Sequence, residues 1–198
     1  MREALVLKTH RDVASQPPFS LSKPKVLDLF AGCGGFSQGF TEAGCDVIAF
    51  VEHWQPAIAT FQQNHPHAAL IGTDITKIKN NDIEKYQGKI DIIIGGPPCQ
   101  GFSICGNRNP KDKRNQLYKE FLRFVRIIEP KIIVIENVQG LLSTRDSDGE
   151  KILHKIIEQL VQMGYFVSYK VLNAADFGVA QNRHRLIIIA IKGALFPQ

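Results

Sequence analysis

From Lys25 onward the chain alternates short apolar runs with longer amphipathic stretches. The short runs are KVLDLF, DVIAFVE, AALIGTD, KIDIIIGG and KIIVIENV, rich in Val, Ile and Leu. Runs that are apolar at consecutive positions bury both faces, as strands of a parallel sheet do when layers cover it on each side. Between them lie GGFSQGFTEAG, PAIATFQQNH, QLYKEFLRFVRIIE and EKILHKIIEQLVQMG, whose apolar spacing predicts helices. The last two runs, YFVSYKVLNA and RLIIIAI, have no helical stretch between them, which predicts an antiparallel closing hairpin. The expected fold class is α/β, a doubly wound, mostly parallel, Rossmann-like sheet of about seven strands. Residues 1–24 lack this pattern and are broken by Pro17, Pro18 and Pro24, so they read as an arm or helix outside the sheet, with residues 25–198 forming the domain proper.

Doubly wound sheets bind ligands beyond the carboxyl ends of their strands. The residues that follow each run are therefore informative: Phe30, Ala31 and Gly32 after the first, Glu52 after the second, Asp74 after the third, Pro97, Pro98 and Cys99 after the fourth, Glu136 and Asn137 after the fifth. Gly32, Gly34 and Gly35 allow close approach of backbone N–H groups to a ligand, although glycines there also serve simply as turn formers. Glu52 follows Gly32 by 20 residues, the spacing at which an acid reaches ribose hydroxyls. Asp74 is placed to accept from an adenine amino group, while His53 and Trp54 either cover the adenine face or plug a helix start. Ser37 stands where a strict G-x-G-x-x-G would have its third glycine, so S-adenosylmethionine, a nucleoside without phosphates, suits the pattern at least as well as a nicotinamide dinucleotide.

A second group of residues reads as chemistry. Cys99 sits on a loop stiffened by two prolines and turned by Gly95, Gly96 and Gly101, a setting that suits a nucleophile held in attack geometry. Glu136 follows four apolar residues, where desolvation favours the protonated form and a proton donor near neutral pH. Arg183 and Arg185 are two apart at the start of the last run and share a face, able to hold a carbonyl or phosphate oxygen.

Composition narrows the field only slightly. The net charge of +5 permits a nucleic-acid partner without requiring one. The four cysteines show no C-x-x-C pairing and no histidine at zinc spacing, so neither a metal nor a disulfide framework is expected. No apolar run approaches a membrane span and the N-terminus lacks a signal-peptide core, which makes a cytoplasmic or nucleoid-associated location the expectation and a membrane partner none.

Taken in order, DLFAGCGGFSQGF, VEHW, GTDI, GGPPCQGFS, ENVQGLLS and QNRHRLIIIA make residues 25–191 resemble the DNA (cytosine-5)-methyltransferases. The resemblance implies the S-adenosylmethionine-dependent methyltransferase type of sheet and double-stranded DNA as substrate. It implies S-adenosylmethionine, released as S-adenosylhomocysteine, over Asp28, Phe30, Gly32, Gly34, Gly35, Glu52, His53, Trp54, Asp74, Ile75 and Pro97, with Glu52 on the ribose. It further implies that the Cys99 thiolate attacks C6 of a flipped-out cytosine, that Glu136 bonds the exocyclic amine and N3, and that Arg185 holds the carbonyl, with Gln181 and Arg183 supporting the loop. GNRNPKDKRNQ, rich in Arg, Lys and Asn and lying just after the Cys99 loop, is where contact with the DNA backbone and closure over DNA are expected.

Family members ordinarily continue with a target-recognition region and a returning segment, and these 198 residues carry neither. The expectation is one subunit of a split enzyme or a fragment of a longer chain, weakly active or inactive until a second polypeptide supplies the rest. Three other readings stand beside this one: a transfer-RNA cytosine-5 methyltransferase, a non-catalytic cofactor- or DNA-binding subunit, and a nicotinamide dehydrogenase of similar fold.

Overall fold

The computed structural model describes residues 22–98, 117–146 and 148–193. Most of the N-terminal arm, Cys99 and the basic stretch after it lie outside the described residues. The elements are β1 (Lys25–Leu29), α1 (Gly35–Glu42), β2 (Asp46–Val51), α2 (Gln55–Asn64), β3 (Ala69–Gly72), α3 (Asn80–Glu84), β4 (Ile92–Gly95), α4 (Leu117–Ile128), β5 (Ile132–Val138), α5 (Ile152–Gln162), β6 (Tyr165–Asn173) and β7 (His184–Lys192). The sheet has seven strands in the order β3-β2-β1-β4-β5-β7-β6. The order reverses between β1 and β4, so the switch point lies at their carboxyl ends.

Alternation along each strand sorts the core into two halves. Leu27, Leu29, Ile93, Ile133 and Ile135 pack toward α4 and α5, with Phe121, Phe124 and Leu160. Val26, Phe50, Ile92 and Ile94 face the other way, toward Ile58 and Phe61 of α2. Phe50 and Phe61 stack with ring centroids 3.9 Å apart. Gly95 is required where β1 and β4 meet, because a Cβ there would fall 2.1 Å from the Leu29 carbonyl oxygen.

The closing hairpin is antiparallel as predicted, but β7 enters between β5 and β6 and pairs antiparallel with both. This insertion moves one sequence boundary. Glu136 and Asn137 were expected beyond the fifth strand, yet they belong to it: the parallel ladder with β4 ends at Gly95↔Ile135, while the ladder with β7 continues through Glu136↔Ile187, Asn137↔Leu186 and Val138↔Arg185. A short helix, α3, also forms where no helix was predicted. No described helix is long and apolar enough to cross a membrane.

Candidate active site

The chain leaves β1 in a strained conformation. Phe30 has φ 62°, left-handed for a residue with a large side chain, and is followed by Gly32 at φ 56° and Gly34 at φ 90°. The Ala31 amide donates to the Val51 carbonyl at 3.1 Å, which ties the loop to the end of β2. A Cβ on Gly34 would lie 2.9 Å from Phe61 and 3.0 Å from His65, so this glycine lets the loop settle against α2.

Glu52 organises the loop from the next strand end. Its Oε2 accepts from the Gly32 amide at 2.8 Å, and its Oε1 accepts from the amides of His53 and Trp54, both at 2.9 Å. His53 Nδ1 lies 3.1 Å from the same Oε1. Glu52 is 6% exposed. A carboxylate oxygen has two acceptor positions, so Oε2 retains one beyond the Gly32 bond. Asp74 caps the 3₁₀ turn Ile75–Lys77, accepting from Thr76 N at 3.1 Å and Thr76 Oγ1 at 2.7 Å. The Thr76 bonds, with Lys77 beside them, hold its carboxyl below the ordinary range. Phe30, Glu52, His53, Asp74 and Ile75 all line one cavity of about 680 Å³, which Leu117 and Pro98 help to close.

A second cavity of about 670 Å³ shares Phe30 and Gly96 with the first and is lined by Asp28, Gly35, Glu136, Arg183 and Arg185. Arg185 Nε sits 2.8 Å from Glu136 Oε1. The register explains the meeting: Val138 is opposite Arg185 and Glu136 opposite Ile187, so the acid and the guanidinium are diagonal neighbours on one face. Glu136 is not the enclosed carboxylate that its apolar run suggests. Its side chain is 31% exposed and ion-paired, because the odd-numbered neighbours Ile133 and Ile135 point into the core while Glu136 turns to the opposite face. Asn137 is buried, donates from Nδ2 to the Pro97 carbonyl at 2.9 Å and accepts at Oδ1 from the Val138 amide. It thereby anchors the start of the loop that leads to Cys99.

The structure thus brings together Asp28, Phe30, Gly35, Glu52, His53, Asp74, Ile75, Glu136, Arg183 and Arg185 around two joined cavities. Gly32 and Gly34 act from behind as described, Pro97 contributes its carbonyl to Asn137 with Pro98 at the cavity wall, and Trp54 stands 59% exposed at the start of α2. Cys99 follows Pro98 immediately in the chain and lies outside the described residues. Leu172 and Phe177 also line the second cavity and were not foreseen, since nothing in the sequence shows that the connection between β6 and β7 folds back over β1.

Asp28 is the electrostatic anomaly of the site. It is 1% exposed, its Oδ2 accepts from Ser37 Oγ at 2.7 Å, and its Oδ1 has no hydrogen-bond partner. Burial, with the Glu52 charge adding to it against the Ser37 bond, raises its pKa from 3.8 to about 7. The folded state therefore holds this proton more tightly than the unfolded chain. The resulting stability is complete below the unfolded value and is lost as pH rises through about 7, a change on the order of 4 kcal/mol. Asp28→Asn is expected to flatten the fall in urea midpoint between pH 5 and pH 8; an unchanged slope would assign that pH dependence elsewhere.

Comparison with known proteins supplies the context for this geometry. The model for C-5 cytosine-specific DNA methylase matches residues 24–197. The type II methyltransferase M.DdeI of Desulfomicrobium norvegicum is 44% identical over 167 residues, covering 84% of this chain and 40% of that protein. The type II methyltransferase M.AgeI of Thalassovita gelatinovora is 40% identical over 169 residues, covering 83% and 38%. The chain therefore spans less than half the length of these curated relatives. Among solved structures, a prophage-encoded DNA modification methyltransferase candidate from E. coli superimposes with a TM-score of 0.74 at 35% identity, over 87% of this chain and 48% of that one. A Spodoptera frugiperda DNMT2 variant superimposes at 0.69 with 24% identity, over 87% and 51%, a likeness of fold.

Proposed function

Because this chain belongs to the C-5 cytosine-specific DNA methylase family, we propose that it carries the cofactor pocket and base pocket of a DNA (cytosine-5)-methyltransferase of the restriction-modification kind. The observation that carries the reading is the junction of the two cavities: the Glu52 and Asp74 rim and the Glu136–Arg185 pair stand on either side of Phe30 and Gly96. A ligand bound at the first and a base bound at the second share that wall.

The residues present fit S-adenosylmethionine. Glu52, buried at the wall of the first cavity, and Asp74 beside it favour a cationic ligand over a pyrophosphate. When bound, the cofactor supplies an electrophilic methyl group on a positively charged sulfonium. Glu52, through its remaining acceptor position, takes the ribose hydroxyls, and Asp74 takes the adenine amino group.

On the base side, Cys99 adds as thiolate to C6 of the cytosine, forming the S–C6 bond and moving electron density to C5. Glu136 hydrogen-bonds N3 and the exocyclic amine, which stabilises that shift, and Arg185 holds the carbonyl oxygen. Once C5 has taken the methyl group that the cofactor would supply, loss of the C5 proton to a base restores the C5–C6 double bond as the S–C6 bond breaks and expels Cys99. Reaching a base inside a duplex requires flipping it out of the stack. Target choice and full activity belong to sequence beyond this chain, on the same polypeptide or a second one.

Covalent trapping tests the reading. The chain is incubated with S-adenosylmethionine and either DNA containing 5-fluorocytosine or transfer RNA containing it, with and without a complementing polypeptide. A Cys99 adduct to DNA by mass spectrometry, stronger with the complement, is expected. An adduct to transfer RNA alone would overturn the DNA reading, and no adduct in any arm would leave a binding subunit.

A further inference from the structure

Asp74 is restrained within its own turn by Thr76 and Lys77, so what orients that turn against the sheet must come from elsewhere. Arg123 of α4 reaches it. Its Nη2 donates to the Ile75 carbonyl at 2.9 Å, and its Nη1 donates to the Ile78 carbonyl at 3.0 Å and to Asn80 Oδ1 at 2.8 Å. Its Nε donates to Glu120 Oε2 at 2.8 Å, and Nη2 lies 2.7 Å from the same oxygen. A guanidinium has five N–H donors, and four of them make hydrogen bonds here while Nη2 also pairs with the Glu120 carboxylate. A lysine ammonium, with three donors radiating from one atom, has no way to span the same set.

We propose that Arg123 is a positioning residue for adenine recognition: it clamps the turn carrying Asp74 and Ile75 to α4, and so fixes where the Asp74 carboxylate stands in the first cavity. The inference rests on the reading of that cavity as the S-adenosylmethionine site. The geometry supports it from both ends, since Leu117 of the same helix lines the cavity beside Asp74. The side chain is 23% exposed, which leaves the clamp partly shielded from water and salt.

The test exploits the adenine amino group. Trp54, the single tryptophan, reports binding of S-adenosylhomocysteine and of the analogue whose adenine 6-amino group is replaced by hydrogen. Arg123→Met is expected to weaken S-adenosylhomocysteine by about tenfold and the analogue by less than about twofold. Arg123→Lys falls between and carries the same comparison if the Met variant does not fold. Asp74→Ala is expected to show the same selectivity, and adding Arg123→Met to it no further loss. Equal losses for both ligands, or additive losses in the double variant, would overturn the proposal and leave Arg123 a support of the fold alone. If the unsubstituted chain does not bind S-adenosylhomocysteine, the cofactor reading falls and the inference with it, a failure distinct from equal losses.

Discussion

Glu52→Gln is expected to weaken S-adenosylhomocysteine binding by on the order of a hundredfold and to lower unfolding stability by about 2–4 kcal/mol. The substitution preserves shape, so its effect isolates charge and acceptor count. Both carboxylate oxygens receive backbone N–H donors, Oε2 from Gly32 and Oε1 from His53 and Trp54. Whichever way the glutamine amide turns, its NH₂ meets a buried donor, and at least one N–H loses its acceptor. The same change removes the acceptor left for a ribose hydroxyl or reduces it to a neutral one. Urea denaturation and Trp54 fluorescence titration measure the two losses separately. A variant that binds as tightly as the parent would show that Glu52 serves the loop and not the ligand.

Cys99→Ser is expected to leave S-adenosylhomocysteine affinity within about twofold and to cut methyl transfer by roughly a thousandfold or more in the complemented enzyme. A serine hydroxyl is almost wholly protonated near neutral pH and adds to C6 far more slowly than a thiolate. The trapping adduct should vanish with it. Persistent transfer at a tenth of the parental rate would remove Cys99 from the nucleophile's role, and the proline-stiffened loop would then need another purpose.

The parallel half of the sheet was legible because its strands are dense in Val, Ile and Leu, with β4 apolar throughout and β1 and β5 interrupted only by Lys25 and Asp28 and by Glu136 and Asn137. The strand-end acid Glu52 was legible by the same contrast, since it directly follows the five apolar residues from Val47 to Val51. Glu136 illustrates the limit of that logic. Whether a strand stops at Ile135 or runs on to Val138 depends on whether a second partner continues the ladder, and the partner, β7, lies some fifty residues later. Arg123 was invisible for a related reason, since two of its four acceptors are backbone carbonyls 45 and 48 residues away, and carbonyls leave no mark in a sequence. Asp28 reads as an ordinary polar interruption of KVLDLF until the fold buries it against Ser37.

The place of β7 also sets an order in time. Chains emerge from the ribosome N-terminus first, and the rim made by Phe30, Glu52 and Asp74 is complete once β4 and α4 are available to support it. Glu136 emerges soon after, but Arg185 and the ladder that extends β5 through Asn137 arrive only with the last strand. The nascent polypeptide thus forms the rim of the first cavity before it can pair Glu136 with Arg185, and the Asn137 contact to Pro97 is supported from both sides only after β7 has joined β5.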